Sequence, residues 1–92
     1  MITRDVVVPN QLGLHARAAA RFVQVATRFR ARVLVRREGR TMDGKSIMGV
    51  LLLAAARGTT IAISADGPDE AEAVAALVGL VESGFGEEPW NG

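Results

Sequence analysis

Gly39-Arg40-Thr41-Met42-Asp43-Gly44-Lys45-Ser46 can be read in two ways, and each gives a different fold. The eight residues satisfy the phosphate-loop pattern G-x-x-x-x-G-K-S. Further on, Ile61-Ala62-Ile63-Ser64-Ala65-Asp66 looks faintly like the strand that accompanies such a loop. The pattern binds phosphate only as an open loop between a parallel strand and a helix. The other reading places Glu38-Gly39 in a two-residue hairpin turn, with Gly supplying positive φ. Residues 40–43 then form the returning strand, and no run of open N–H groups remains. A chain of 92 residues is also short for the many-stranded parallel sheet that nucleotide hydrolysis uses. The hairpin, and with it an antiparallel sheet, is the expectation.

Working outward from the hairpin, residues 31–37 form its first strand. Ser46 is placed to cap a short helix over 47–53. Residues 59–65 alternate around Ile61 and Ile63 and read as a strand. Gly67-Pro68-Asp69-Glu70 opens a helix, with Pro and acids in its first turn. That helix runs to about residue 83, burying Val74, Leu77, Val78 and Val81, and Gly84 stops it. Toward the N-terminus, residues 2–8 are rich in β-branched side chains and form a strand that the turn residues Pro9 to Gly13 end. Residues 16–28 are helical, with apolar positions 19, 22, 23, 26 and 29 on one face. The order is β-α-β-β-α-β-α, an α+β sandwich with four antiparallel strands and three helices on one face. One domain is expected over 1–84 and a flexible tail over 85–92, in which Trp90 has no assigned role.

Composition excludes several classes. There is no cysteine and only one histidine, so neither a disulfide framework nor a metal site is expected, and no cofactor. No N-terminal stretch has the form of a signal peptide. The longest apolar run, 50–56, is far short of a bilayer span. A soluble, cytoplasmic protein without membrane insertion is the expectation. Net charge is +1, but residues 1–60 hold all 11 bases and three acids, whereas residues 61–92 hold seven acids and no base. Such a basic segment fits acidic protein partners or nucleic acid. With no Tyr and a single Trp, a base-stacking platform is missing, so no nucleic acid is expected. Arg36, Arg37 and Arg40 are read as solvated strand residues.

Gly13-Leu14-His15-Ala16-Arg17-Ala18-Ala19-Ala20-Arg21-Phe22 holds the only histidine, at the junction of strand and helix. A residue there stands at or beside the N-cap, facing free N–H groups and the positive end of the helix dipole. Two residues on, Arg17 offers a forked donor suited to phosphate. These features suit a phosphoryl group. On spacing alone, a lone His at such a place is more often a cap or a partly exposed packing residue than a phosphoryl site.

The segment around His15 resembles the active-site motif of the HPr family, the histidine phosphocarriers of the bacterial phosphotransferase system. Gly44-Lys45-Ser46-Ile47-Met48-Gly49-Val50 resembles that family's regulatory-serine segment, at the family's separation from the first motif. The likeness covers residues 2–84. The ending Leu80-Val81-Glu82-Ser83-Gly84-Phe85 is similar to the nitrogen-related branch.

The resemblance implies the HPr open-faced sandwich and a phosphoprotein of sugar uptake, a carrier rather than an enzyme. His15 would accept the phosphoryl group from enzyme I, itself charged by phosphoenolpyruvate, and pass it to enzyme IIA proteins. Arg17 would act with it as a catalytic residue, and the N–H groups of Ala16, Arg17 and Ala18 would stabilise the phosphate. Partners would dock on Ala16, Ala20 and Gln24 of the first helix and on Ile47, Met48 and Leu51 of the second. Ser46 would be phosphorylated by an HPr kinase/phosphorylase. A monomer is expected. Family members commonly carry Pro where this chain has Ala18, a departure that bears on the rigidity of the His15 loop. The alternative is a regulatory protein-binding module of the nitrogen-related branch, acting mainly by contact.

Overall fold

Residues 34–43 form the hairpin. In the computed structural model, which describes residues 1–86, Glu38 and Gly39 both take positive φ, 48° and 82°. This is the turn whose twist matches that of paired strands, and it closes on the pair Arg37–Arg40. The residues of the phosphate-loop pattern are committed elsewhere. Lys45 Nζ donates to the Phe29 carbonyl at 2.7 Å, and Ser46 Oγ accepts the Gly49 N–H at 3.1 Å.

Seven elements follow in the expected order: β1 (Ile2–Val7), α1 (Ala16–Ala26), β2 (Arg32–Arg37), β3 (Arg40–Asp43), α2 (Ile47–Leu52), β4 (Thr60–Asp66) and α3 (Glu70–Glu82). The strands form one antiparallel sheet, ordered β1-β4-β2-β3. Alternation gives the sheet two unlike faces. Val6, Ile61, Ile63, Val33 and Val35 are buried beneath the helices, whereas Thr3, Asp5, Arg32, Arg36 and Thr41 face outward. Helix α1 contributes Ala18, Ala19, Phe22 and Ala26 to the core, and α3 contributes Ala73, Val74, Leu77, Val78 and Val81. Fully burying a side chain such as Phe22 or Leu77 stabilises the fold by about 1.5–3 kcal/mol.

Helix α1 ends two residues before its expected stop. Thr27 is its C-cap. The N–H groups of Arg28 and Phe29 reach back only three residues, to the Val25 and Ala26 carbonyls. This tighter turn brings Phe29 against the core, where it is half-buried. At the start of α3, Asp69 is the N-cap residue but makes no side-chain bond to its own helix. Its carboxylate instead accepts the N–H groups of Arg30 and Ala31, each at 2.8 Å. These bonds, Arg30's foremost, hold its pKa below the ordinary aspartate value.

Three expectations need correction. Arg37 and Arg40 are not simply solvated: they donate to the Leu53 and Leu52 carbonyls at 3.0 and 3.1 Å. A carbonyl at a helix end has no partner within the helix, and these two guanidiniums supply one from the neighbouring hairpin. Phe85 does not belong to a loose tail. It is 0% exposed and packs in the core. Residues 87–92 of the expected tail, with Trp90, lie outside the described residues.

Candidate functional site

The site begins where β1 ends. Val8 exchanges backbone hydrogen bonds with the far loop, its N–H donating to Thr59 and its carbonyl accepting from Gly58. The chain then tightens. Gly13 N–H donates to the Asn10 carbonyl at 3.1 Å, and Asn10 Nδ2 returns a bond to the Gly13 carbonyl at 2.9 Å. Leu14 is buried, and its N–H donates to the Ala55 carbonyl at 2.9 Å. Gly13 takes a φ of 65°, and a Cβ there would stand 2.5 Å from that same Ala55 oxygen. Only glycine lets the loop lie so close to the segment after α2.

His15 is the N-cap of α1, in extended backbone conformation with φ −77° and ψ 178°. Its Nδ1 accepts the Arg17 N–H at 3.2 Å. Its carbonyl accepts the Ala19 N–H at 2.8 Å, the first bond of the helix. Serine, threonine, aspartate and asparagine are the usual caps because each offers a short side-chain oxygen. Here an imidazole lone pair does the same work. A ring nitrogen that accepts an N–H carries no proton, so the neutral tautomer has its hydrogen on Nε2. The Nδ1 lone pair is thereby aimed at the positive end of α1.

Of the three expected N–H donors, Arg17's is already engaged with the imidazole. Those of Ala16 and Ala18 belong to the first turn, where the helix offers no carbonyl four residues back. The Arg17 side chain and Ala16 are exposed, whereas the Ala18 methyl is fully buried. The helix starts at Ala16.

Around this point the surface is apolar. Met48 is 68% exposed and Ile47 45%. Leu51 differs from them: it is half-buried against the core, and its neighbour Leu52 is the one exposed. On α1, which packs beside α2, Ala16 and Gln24 are exposed and Ala20 is half-buried. Leu12 is 70% exposed in the His15 loop and was not among the expected docking residues. A large apolar residue within a turn of Pro, Asn, Gln and Gly was the signal for it. Ser46 caps α2 and is half-buried.

Among the described residues there is no cluster of three or more His, Cys, Asp or Glu able to hold a metal ion. No helix among them is long and apolar enough to cross a membrane. An open groove of about 390 Å³ is lined by Asp5, Val6, Val7, Pro9, Thr60 and Glu82. It includes none of the residues expected to carry function.

The family described as PTS HPr component phosphorylation site matches residues 2–83. A phosphocarrier protein HPr of Cupriavidus necator is 51% identical over 87 residues, covering 95% of this chain and 98% of that protein. A crystal structure of an HPr from Thermoanaerobacter tengcongensis superposes with a TM-score of 0.92 at 44% identity, covering 97% of this chain and 100% of its own. A structure of an HPr dimer from the same organism gives 0.76 at 45% identity, over 89% of this chain and 94% of its own. Sharing half its residues with a named phosphocarrier along nearly the full length of both, the protein belongs to the HPr family of the phosphotransferase system and is a carrier rather than an enzyme.

Proposed function

We propose that His15 is the residue that carries the phosphoryl group, through Nδ1. The observation that carries this reading is the imidazole at the N-cap of α1, with its Nδ1 lone pair facing the Arg17 N–H. In the transfer, Nδ1 gives up its bond to the Arg17 N–H and attacks phosphorus, the bond between phosphorus and the donor breaks, and the phosphoryl group moves to His15. The second transfer is the reverse process with the acceptor as nucleophile. The anionic product stands at a helix N-terminus, which contributes about 0.3–1 kcal/mol at an exposed site. With phosphorus on Nδ1 the ring no longer accepts the Arg17 N–H, which then donates to the phosphoryl oxygens together with the N–H groups of Ala16 and Ala18. The Arg17 guanidinium neutralises charge on the group in transit. Such transfer needs positioning and electrostatics more than further covalent chemistry.

The donor is enzyme I charged by phosphoenolpyruvate, and the acceptors are enzyme IIA proteins. Both dock on Ala16, Ala20 and Gln24 together with Ile47 and Met48, with Leu51 supporting the patch from beneath. An exposed apolar patch beside basic residues suits a partner with an apolar centre and an acidic rim. Ser46 is a regulatory site for an HPr kinase/phosphorylase. Phosphate there would meet the N-terminus of α2 and add negative charge beside the patch. A monomer suffices for this cycle, because His15, Arg17 and the patch lie on one chain, and the cytoplasm supplies the phosphoenolpyruvate.

Incubation with enzyme I and phosphoenolpyruvate, followed by intact mass, tests the reading. One phosphoryl group should be added to the parent chain and none to His15→Ala, and the label should be acid-labile and base-stable. Persistent labelling of His15→Ala would overturn it.

A further inference from the structure

The chain ends its described part in an unusual conformation. Gly84, Phe85 and Gly86 have φ values of 74°, 61° and 71°, three left-handed residues in a row. A bulky residue seldom adopts this region, and it persists only where the surroundings hold it. Two contacts hold Phe85. Its ring is fully buried in the cluster that also contains Leu14, and its carbonyl accepts a bond from Arg21 Nη1 at 2.6 Å. The guanidinium lies so close that a Cβ on Gly86 would stand 2.9 Å from the same nitrogen.

Arg21 stands one turn beyond Arg17 on α1, the helix that His15 caps. The segment it grips leads directly to the His15 loop: a Cβ on Gly84 would lie 3.7 Å from Asn10 Cβ. Asn10 in turn holds Gly13 through two hydrogen bonds, and the Gly13 carbonyl accepts the His15 N–H at 2.9 Å. Two elements flank the loop, α1 and the end of α3, and the Arg21–Phe85 bond fastens one to the other.

We propose that Arg21 is a positioning residue for the phosphoryl site: by gripping the Phe85 carbonyl it clamps the end of α3 against the loop that carries His15. The proposal rests on the phosphocarrier reading of His15. It assigns to Arg21 no contact with the phosphoryl group and none with the partner proteins.

The test uses the full chain and its Arg21→Ala and Arg21→Lys variants, with two independent readouts. The first is amide hydrogen exchange. In Arg21→Ala the Gly13, Leu14 and His15 amides should exchange roughly tenfold faster, while Ile61 and Ile63 in β4 keep their rates, because local opening is separable from global unfolding. The second is steady-state phosphorylation by enzyme I with the carrier as varied substrate. Arg21→Ala should lower kcat by roughly tenfold and leave KM unchanged, the pattern of lost alignment. Arg21→Lys, whose ammonium can still donate to one carbonyl, should recover most of both. Unchanged exchange at residues 13–15 would overturn the clamp. So would a raised KM at unchanged kcat, which would make Arg21 a docking contact. A parent chain that takes up no phosphoryl group would instead overturn the role of His15, and the exchange rates would still decide whether Arg21 holds the loop.

Discussion

The N-termini of α1 and α2 are built alike and chemically different. Each begins with a residue in extended backbone conformation whose side chain accepts an N–H from the first turn: His15 from Arg17 and Ser46 from Gly49. Each presents the positive end of a helix beside an exposed apolar surface. A serine cap is the common solution, and it leaves the hydroxyl as a weak nucleophile that needs a base to activate it. A histidine cap positions a lone pair that is nucleophilic whenever the imidazole is neutral. On the proposed reading, the same local geometry gives one site that takes a phosphoryl group directly from its donor and one that takes it only from a kinase. The start of α3 is the limiting case. There Asp69 occupies the cap position but directs its carboxylate at Arg30 and Ala31, so the residue serves the tertiary fold.

Exchanging the cap chemistry breaks the comparison most severely. His15→Ser keeps a side-chain acceptor at the start of α1 but removes the imidazole. Labelling by enzyme I should vanish while stability changes by less than about 1 kcal/mol, since a hydroxyl caps as well as or better than a ring nitrogen. Mass spectrometry with a parallel melt checks both. A large loss of stability would show that the imidazole holds the loop by more than its cap bond.

Arg17→Ala should slow phosphorylation by roughly tenfold or more, the equivalent of one charge-assisted hydrogen bond of about 1.5 kcal/mol. The melting temperature should barely move, because the side chain is exposed. A quench-flow comparison at matched concentrations decides this, and full activity would mean that the helix N-terminus suffices alone.

At the other cap, Ser46→Ala should lose about 1 kcal/mol of stability and transfer normally. Ser46→Asp should keep the cap and slow transfer by a smaller factor than genuine phosphorylation, having less charge. If Ser46→Asp transfers as fast as the parent, Ser46 is only a cap.

The smallest effect belongs to Asp69. Its pKa is depressed in the folded protein, chiefly by the Arg30 N–H bond. Its contribution to stability is therefore complete above the ordinary aspartate range and lost as pH falls through the lower, folded value. Asp69→Asn should flatten the acid limb of a stability-against-pH curve relative to the parent. Superimposable curves would show that the two N–H bonds do not favour the charged form.

Much of this was legible in the chain because periodicity reports burial directly. The alternation around Ile61 and Ile63 and the spacing of Val74, Leu77, Val78 and Val81 named core residues before any coordinates. The pair Glu38-Gly39 was enough to separate a hairpin from a phosphate loop. His15 and Ser46 were found as caps because each precedes a helical pattern. What stayed hidden involves backbone carbonyls, which leave no mark on side-chain identity. Nothing in the residue order links Arg21 to Phe85, Arg37 to Leu53 or Arg40 to Leu52. The burial of Phe85 depends on where the end of α3 meets α1, so Gly-Phe-Gly read as loose chain. Helix α2 has six residues, too few for periodicity to show that Leu51 is half-buried and Leu52 exposed.

The most direct measurement is long-range ¹H–¹⁵N NMR of the imidazole before and after phosphorylation by enzyme I and phosphoenolpyruvate. Before the reaction, the neutral ring should carry its proton on Nε2. Afterwards phosphorus should be bonded to Nδ1, the nitrogen that accepts the Arg17 N–H at 3.2 Å. Phosphorus on Nε2, or a His15 ring unchanged while the protein gains a phosphoryl group elsewhere, would contradict the account.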